Sequence, residues 1–345
     1  MNSMQRVLTA LSHREPDRVP LFLLHSLQGA RELGLSIQDY YSRAEHVIEG
    51  QIRLARKYRG DCLYGFFHAA VEFEAWGGEV LYFPDGPPNA GEPILWTHGD
   101  ILRMRPPRVV ECPGLCRVLE TLRGLKAWAG DTVPIIGVAI SPFSLPIMQM
   151  GFGAYLDLLH EAPELFERLM EANEAFCAEW ANAQLAAGAT AICYFDPLSS
   201  PTNLPRELYL RTGHRVARRI LPSIQGPTAI HLASGRVLPI LEDIAATGTA
   251  VVGVSTLENL AQLKAATRGR LSLLGNLNGI EMRRWTPEQA ESEVRRAIAA
   301  AGRGGGFILS DNHGEIPWQV SDEVLLAIRE AVERWGRYPL DWIDE

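Results

Sequence analysis

The sequence predicts an α/β fold, a single-domain (β/α)8 TIM barrel over residues 1–345 with an extended loop insertion after its second strand, on three observations. Short apolar, β-branched runs alternate with longer stretches of helical periodicity, the pattern of a parallel sheet buried under helices. Eight such runs occur, and right-handed crossovers leave few topologies other than a closed barrel for eight parallel strands. No GxGxxG follows any run, and Gly304-Gly305-Gly306 precedes one instead, so an open dinucleotide-binding sheet lacks its phosphate loop.

The runs are 18–24 (RVPLFLL), 61–67 (DCLYGFF), 133–140 (VPIIGVAI), 189–195 (ATAICYF), 227–232 (PTAIHL), 250–255 (AVVGVS), 271–277 (LSLLGNL) and 306–310 (GFILS). Helices are expected over 44–58, 155–186, 206–221, 237–246, 257–266, 287–301 and 321–335. Thr286-Pro287-Glu288 sets a Thr N-cap before a Pro at the first helical position, and Gly188 and Gly248 stand where helices would stop. The stretch 77–131 carries FPDGPPNAGEP and is expected as a loop or β-hairpin, either a lid over the barrel mouth or a docking loop for a partner.

Composition narrows the function. With 41 acidic and 33 basic residues the formal charge is −8, and no basic block offsets it, which disfavours nucleic acid. No run approaches the roughly 18 apolar residues of a membrane span, and the N-terminus lacks a secretory core segment. Five cysteines without a CxxC pair argue against a disulfide framework and for a reducing cytoplasm. Cys112 and Cys116 have no second Cys/His pair nearby to complete a metal clip.

In a barrel the residues that follow each strand face the substrate. His25, His68, Ser141 and Asp196 follow the first four runs; His231, Ser255, Asn276, Asn278 and the triplet Asp311-Asn312-His313 mark the last four. Four of the nine histidines thus fall at strand ends, a grouping that suits zinc or acid/base chemistry near neutral pH. Glu72 and Glu74 follow His68 and are open to two readings, a metal ligand or base and a solvated loop carboxylate. Trp76, Trp96 and Trp318 offer aromatic walls for an apolar ligand, or rim packing.

These segments resemble a known family. RVLTALSHREPDRVPLFL, VEFEAWGGEV, AICYFDP, HLASG, LLGNLNG and ILSDNHGEIP look, in order and nearly end to end, like the uroporphyrinogen decarboxylase superfamily. The resemblance implies a (β/α)8 barrel and one of two activities: porphyrinogen decarboxylation, or methyl transfer with a cobalamin or corrinoid. The decarboxylase branch carries an Arg-Gln-Ala-Gly-Arg signature after its first strand, where this chain has His25-Ser26-Leu27-Gln28-Gly29. Its essential aspartate aligns with His68 and its tyrosine approximately with Met148, whereas His313 does match its histidine.

The methyltransferase branch fits VEFEAWG better, but its zinc-binding His-x-Cys and Cys correspond here to His231, Ala233 and His313. The loss of both thiolates makes a zinc site harder and better suited to activating oxygen or nitrogen. The preferred expectation is a demethylase that moves a methyl group from a small O-methyl or N-methyl donor to the Co(I) corrinoid of a partner protein. A decarboxylase or lyase acting on a smaller acid is the alternative, and a binding module without chemistry the third reading. His68, Glu72, His231 and His313 form the candidate catalytic set, with His231, His313 and Glu72 as zinc ligands. His25, Ser141, Asp196, Asn276 and Asn278 are the candidate substrate-binding residues, and a homodimer is left open.

Overall fold

The computed structural model describes residues 1–267 and 269–344. Seven of the eight runs form strands of one curled parallel sheet: β1 (Leu63–Tyr64), β4 (Ile135–Ile140), β5 (Ala191–Phe195), β6 (Thr228–His231), β7 (Val251–Gly253), β8 (Ser272–Leu277) and β9 (Phe307–Asp311), in that spatial order. β2 (Val80–Leu81) and β3 (Asn89–Ala90) make a separate antiparallel hairpin. The register runs evenly, with Cys193 beside Ala229, Ile230 beside Val252 and Leu274 beside Ile308.

The eighth expected strand is absent as a strand. Run 18–24 makes one isolated parallel bridge, Leu21 to Leu309, in which Phe22 N–H donates to Leu309 O at 2.9 Å. On its other side Asp61 N–H donates to Leu21 O at 2.6 Å. Pro20 has no N–H to extend a ladder, so the run touches both edges of the sheet without pairing along them. What holds it is a buried ion cluster. Asp61, with 1 % of its side chain exposed, accepts from Arg6 at 2.6 Å, Arg18 at 2.8 Å and the Leu21 N–H at 2.9 Å.

Alternation along the strands sorts the core. Ile135, Ala139, Ile192, Tyr194, Val252, Leu273 and Leu309 pack outward with the helices, while Tyr64, Val138, Cys193, Val251, Leu274 and Ile308 gather inside the curl with Phe22 and Leu24. Val7, on the amphipathic helix Ser3–Leu11, joins this inner group.

The helix signals hold with local breaks. Thr286 closes a capping box with Gln289 on the helix Pro287–Ala301, and Gly188 and Gly248 take positive φ just after helices. Pro163 splits the expected helix 155–186 into Phe152–Glu161 and Pro163–Ala186, because a proline ring cannot follow an uninterrupted turn. The stretch 77–131 is not one loop: the hairpin and the capped helix His98–Arg103 come first, and Pro113–Ala129 is a 17-residue helix. Among the described residues no helix is long and apolar enough to cross a membrane.

Candidate active site

At the carboxyl ends of the strands lies a cavity of about 220 Å³. Tyr64, Phe66 and Phe195 supply its aromatic walls, Pro87, Pro88 and Asn89 of the hairpin cover it, and His313-Gly314-Glu315 brings its polar groups. The residues lining it include no lysine or arginine.

Glu315 is the acid of this cavity. Its carboxylate accepts from the Ser26 hydroxyl, and burial, with Asp311 nearby, pushes it up to about 7. Asp311, the last residue of β9, is pushed up to about 6 by burial although it accepts from the Leu24 N–H at 3.0 Å and the His313 N–H at 3.3 Å. The His313 ring is half-buried, with Nε2 at 3.4 Å from Asn278 Oδ1, and burial lowers its pKa. Tyr64 anchors the loop by donating to Gly314 O at 2.9 Å.

His231 ends β6 and points into the curl. Its Nδ1 accepts the Ala233 N–H at 3.0 Å, and burial, with His313 beside it, lowers it to about 4. The neutral ring therefore carries its proton on Nε2, which has no partner. The ring needs Gly253: a Cβ there would stand 2.5 Å from His231 Cδ2. Gly253→Ala is expected to cost about 1–3 kcal/mol through overpacking. A guanidinium melt within about 0.5 kcal/mol of wild type would show that the ring moves freely instead.

Several expected site residues lie elsewhere. His25 follows the outward parity of Leu21 and Leu23; its ring packs on Tyr58 of the helix Ala44–Tyr58 with centroids 4.8 Å apart, while Ser26 takes the inward place. His68 is wedged between Tyr41 and Tyr82, ring centroids at 5.2 and 6.0 Å, and burial drives it down to about 3. Ser141 and Ser144 both donate to Asp196 Oδ1 at 2.6 Å, a satisfied buried knot that ties the loops after β4 and β5. Asn276 donates to Ser255 O at 3.1 Å, and its Oδ1 is buried without a partner. The structure brings His313 and Asn278 together. Glu315, Ser26 and Tyr64 are the site residues that strand-end reading missed.

Glu72 lies at the interface of sheet and helices. Its Oε1 accepts the Ile140 N–H at 2.9 Å, its neighbour is Trp180, and burial pushes it up to about 8. Below about 4.5 this carboxyl is protonated folded or unfolded, so its stability contribution is fully present there. As pH rises toward about 8 the unfolded chain releases the proton first, and stability falls by up to about 1.4 kcal/mol per pH unit. Glu72→Gln, which keeps the acceptor, is expected to gain about 1–3 kcal/mol at pH 8 relative to pH 5. Urea melts at the two pH values test this, and equal displacement at both would refute it.

The zinc expectation meets a donor set that does not fit. Among the described residues no three His, Cys, Asp or Glu side chains come together to hold a metal, and Glu72 is engaged by β4. His231 presents N–H, not a lone pair, at Nε2.

A curled parallel α/β sheet with acid and imidazole groups gathered at its carboxyl edge is an enzyme architecture. The chain belongs to the uroporphyrinogen decarboxylase family, whose model matches residues 2–335. A uroporphyrinogen decarboxylase from Alkalilimnicola ehrlichii is 27 % identical, covering 96 % of this chain and 94 % of its own length. Another from Magnetococcus marinus is 26 % identical over 96 % and 97 %. Among solved structures, a methyltransferase from Methanosarcina mazei superposes with a TM-score of 0.87 at 19 % identity, covering 97 % of this chain and 99 % of that one, a likeness of fold.

Proposed function

We propose that this chain is a demethylase that takes a methyl group from a small, neutral O-methyl donor and passes it to the Co(I) corrinoid of a partner protein. The observation that carries the reading is the mouth cavity: aromatic walls, no lysine or arginine in its lining, and a half-buried acid pushed up to about 7. An eight-carboxylate porphyrinogen needs cationic anchors, and this cavity has none to offer. A neutral ether needs only an apolar seat and a proton for its leaving oxygen. The fold likeness to a protein named a methyltransferase supports the same branch.

The proton inventory follows from the chain's own groups. The methyl–oxygen bond breaks with its electron pair staying on oxygen, the methyl carbon goes to the corrinoid, and Glu315 in its acid form hands its proton to the departing oxygen. Ser26 holds that carboxyl in place, and His313 with Asn278 orients the donor. No step passes through zinc. In this reading run 18–24 completes a (β/α)8 barrel as its eighth stave, and the hairpin β2–β3 is the lid. The five free cysteines suit the reducing cytoplasm that Co(I) requires.

The test is an anaerobic assay with Co(I) cobalamin as acceptor and a panel of methanol, methoxybenzenes and methylamines, read by the absorbance change of the corrinoid. Turnover of a methoxylated donor supports the reading. Carbon dioxide release from uroporphyrinogen, with no methyl transfer from any donor, would replace it with decarboxylation.

A further inference from the structure

Below the mouth, inside the curl of the sheet, lies a second cavity of about 90 Å³. Phe22, Leu24, Leu274 and Ile308 form its walls, and Val7 and Leu11 of the helix Ser3–Leu11 line it from below. Sheets curled this way are ordinarily filled by branched side chains. Here Ala191, Ala229 and Ala250 face the space and leave it open.

The space is several times the roughly 15 Å³ that one water requires, yet its walls give water little to bond. Among its lining residues the one side-chain nitrogen or oxygen that is buried and without a partner is His231 Nε2. That atom carries the proton of the ring, because Nδ1 accepts from Ala233. Tyr64, Phe195 and Gly314 line this cavity and the mouth above it, and so stand between the two.

We propose that this hollow is a binding site for a small apolar ligand, or for the short alkyl arm of a larger one, that carries a single oxygen acceptor for the Nε2–H of His231. An apolar cavity of about 150 Å³ takes benzene, so the smaller one here takes a chain of a few carbons, as in a small ketone or ether. The inference goes beyond methyl transfer and stands without it.

The probes are xenon, which reads the apolar space, and butanone, which adds one acceptor. Xenon NMR of the intact chain is expected to show saturable exchange that butanone displaces. Ala229→Leu and Cys193→Leu, filling the space from adjacent strands, are expected to abolish the xenon signal with unchanged circular dichroism. His231→Leu is expected to hold xenon within about twofold while weakening butanone about tenfold, the value of one lost hydrogen bond. A wild-type chain without saturable xenon exchange overturns the proposal. Folded filling variants that still bind xenon, or butanone affinity unmoved in His231→Leu, overturn it equally. If neither filling variant folds, the wild-type competition and His231→Leu decide.

Discussion

Glu315→Gln is expected to lower methyl transfer by about 10²–10⁴-fold, the usual worth of a positioned general acid. The variant keeps the shape of the side chain and its acceptor for the Ser26 hydroxyl, so the loop 313–315 stays in place. What disappears is the transferable proton. The pH dependence gives the signature that a merely structural role would lack. With the carboxyl raised to about 7, the acid form dominates below that pH and is lost above it. Wild-type kcat/KM should therefore be level below about 7 and fall tenfold per unit above, whereas the residual activity of the variant should not bend there. Ser26→Ala removes a hydroxyl that favours the charged form, so the bend should move to higher pH. Kinetics on the best donor from pH 5.5 to 9 read all three outcomes. A Glu315→Gln chain that retains half of wild-type turnover would remove Glu315 from the chemistry.

The fold was largely legible because its signals are local and repeated. Seven apolar runs became strands, and the caps at Thr286, Gly188 and Gly248 stand where the sequence put them. Run 18–24 departs from the expected strand because Pro20 cannot donate to a ladder, which its apolar content does not reveal. The site was less legible, for a geometric reason. The rule that strand ends face the substrate does not say which residue does, since successive side chains alternate between cavity and helix layer. Carrying the parity of Phe22 and Leu24 one step further points to Ser26 and excludes His25. His68 escapes that rule because its carbonyl already accepts from Val71 in the turn that opens the helix Ala70–Ala75. Glu315 sits four residues past the end of β9, where only the folded loop returns it to the cavity. A lone Glu between Gly314 and the apolar Ile316-Pro317 carries no periodic signal that could mark it.

The largest stability effect is expected from Asp61→Ala, at about 3–5 kcal/mol, because removing the shared carboxylate of a buried ion cluster leaves Arg18 charged without a carboxylate and Arg6 with Asp17 alone. Arg6 and Arg18 both lose their buried carboxylate, and the Leu21 N–H loses its acceptor. The cluster does more than its Coulomb attraction. It clamps the helix Ser3–Leu11 and run 18–24 against the start of β1, where no ladder closes the sheet. Losing it should therefore loosen that seam first. Hydrogen exchange at the Asp61 amide in Arg18→Met, and at the Phe22 and Leu309 amides that bond run 18–24 to β9 in both variants, should accelerate more than exchange within the ladder β4–β5. Arg18→Met is the informative companion. It leaves Arg6 on Asp61 and keeps much of the apolar stem, so its cost should be well below that of Asp61→Ala. Guanidinium melts of both variants at pH 7 check the ranking. An Asp61→Ala chain destabilised by under about 1 kcal/mol would mean that the seam is held by apolar packing of Phe22 and Leu24, with the ion cluster a passenger on it.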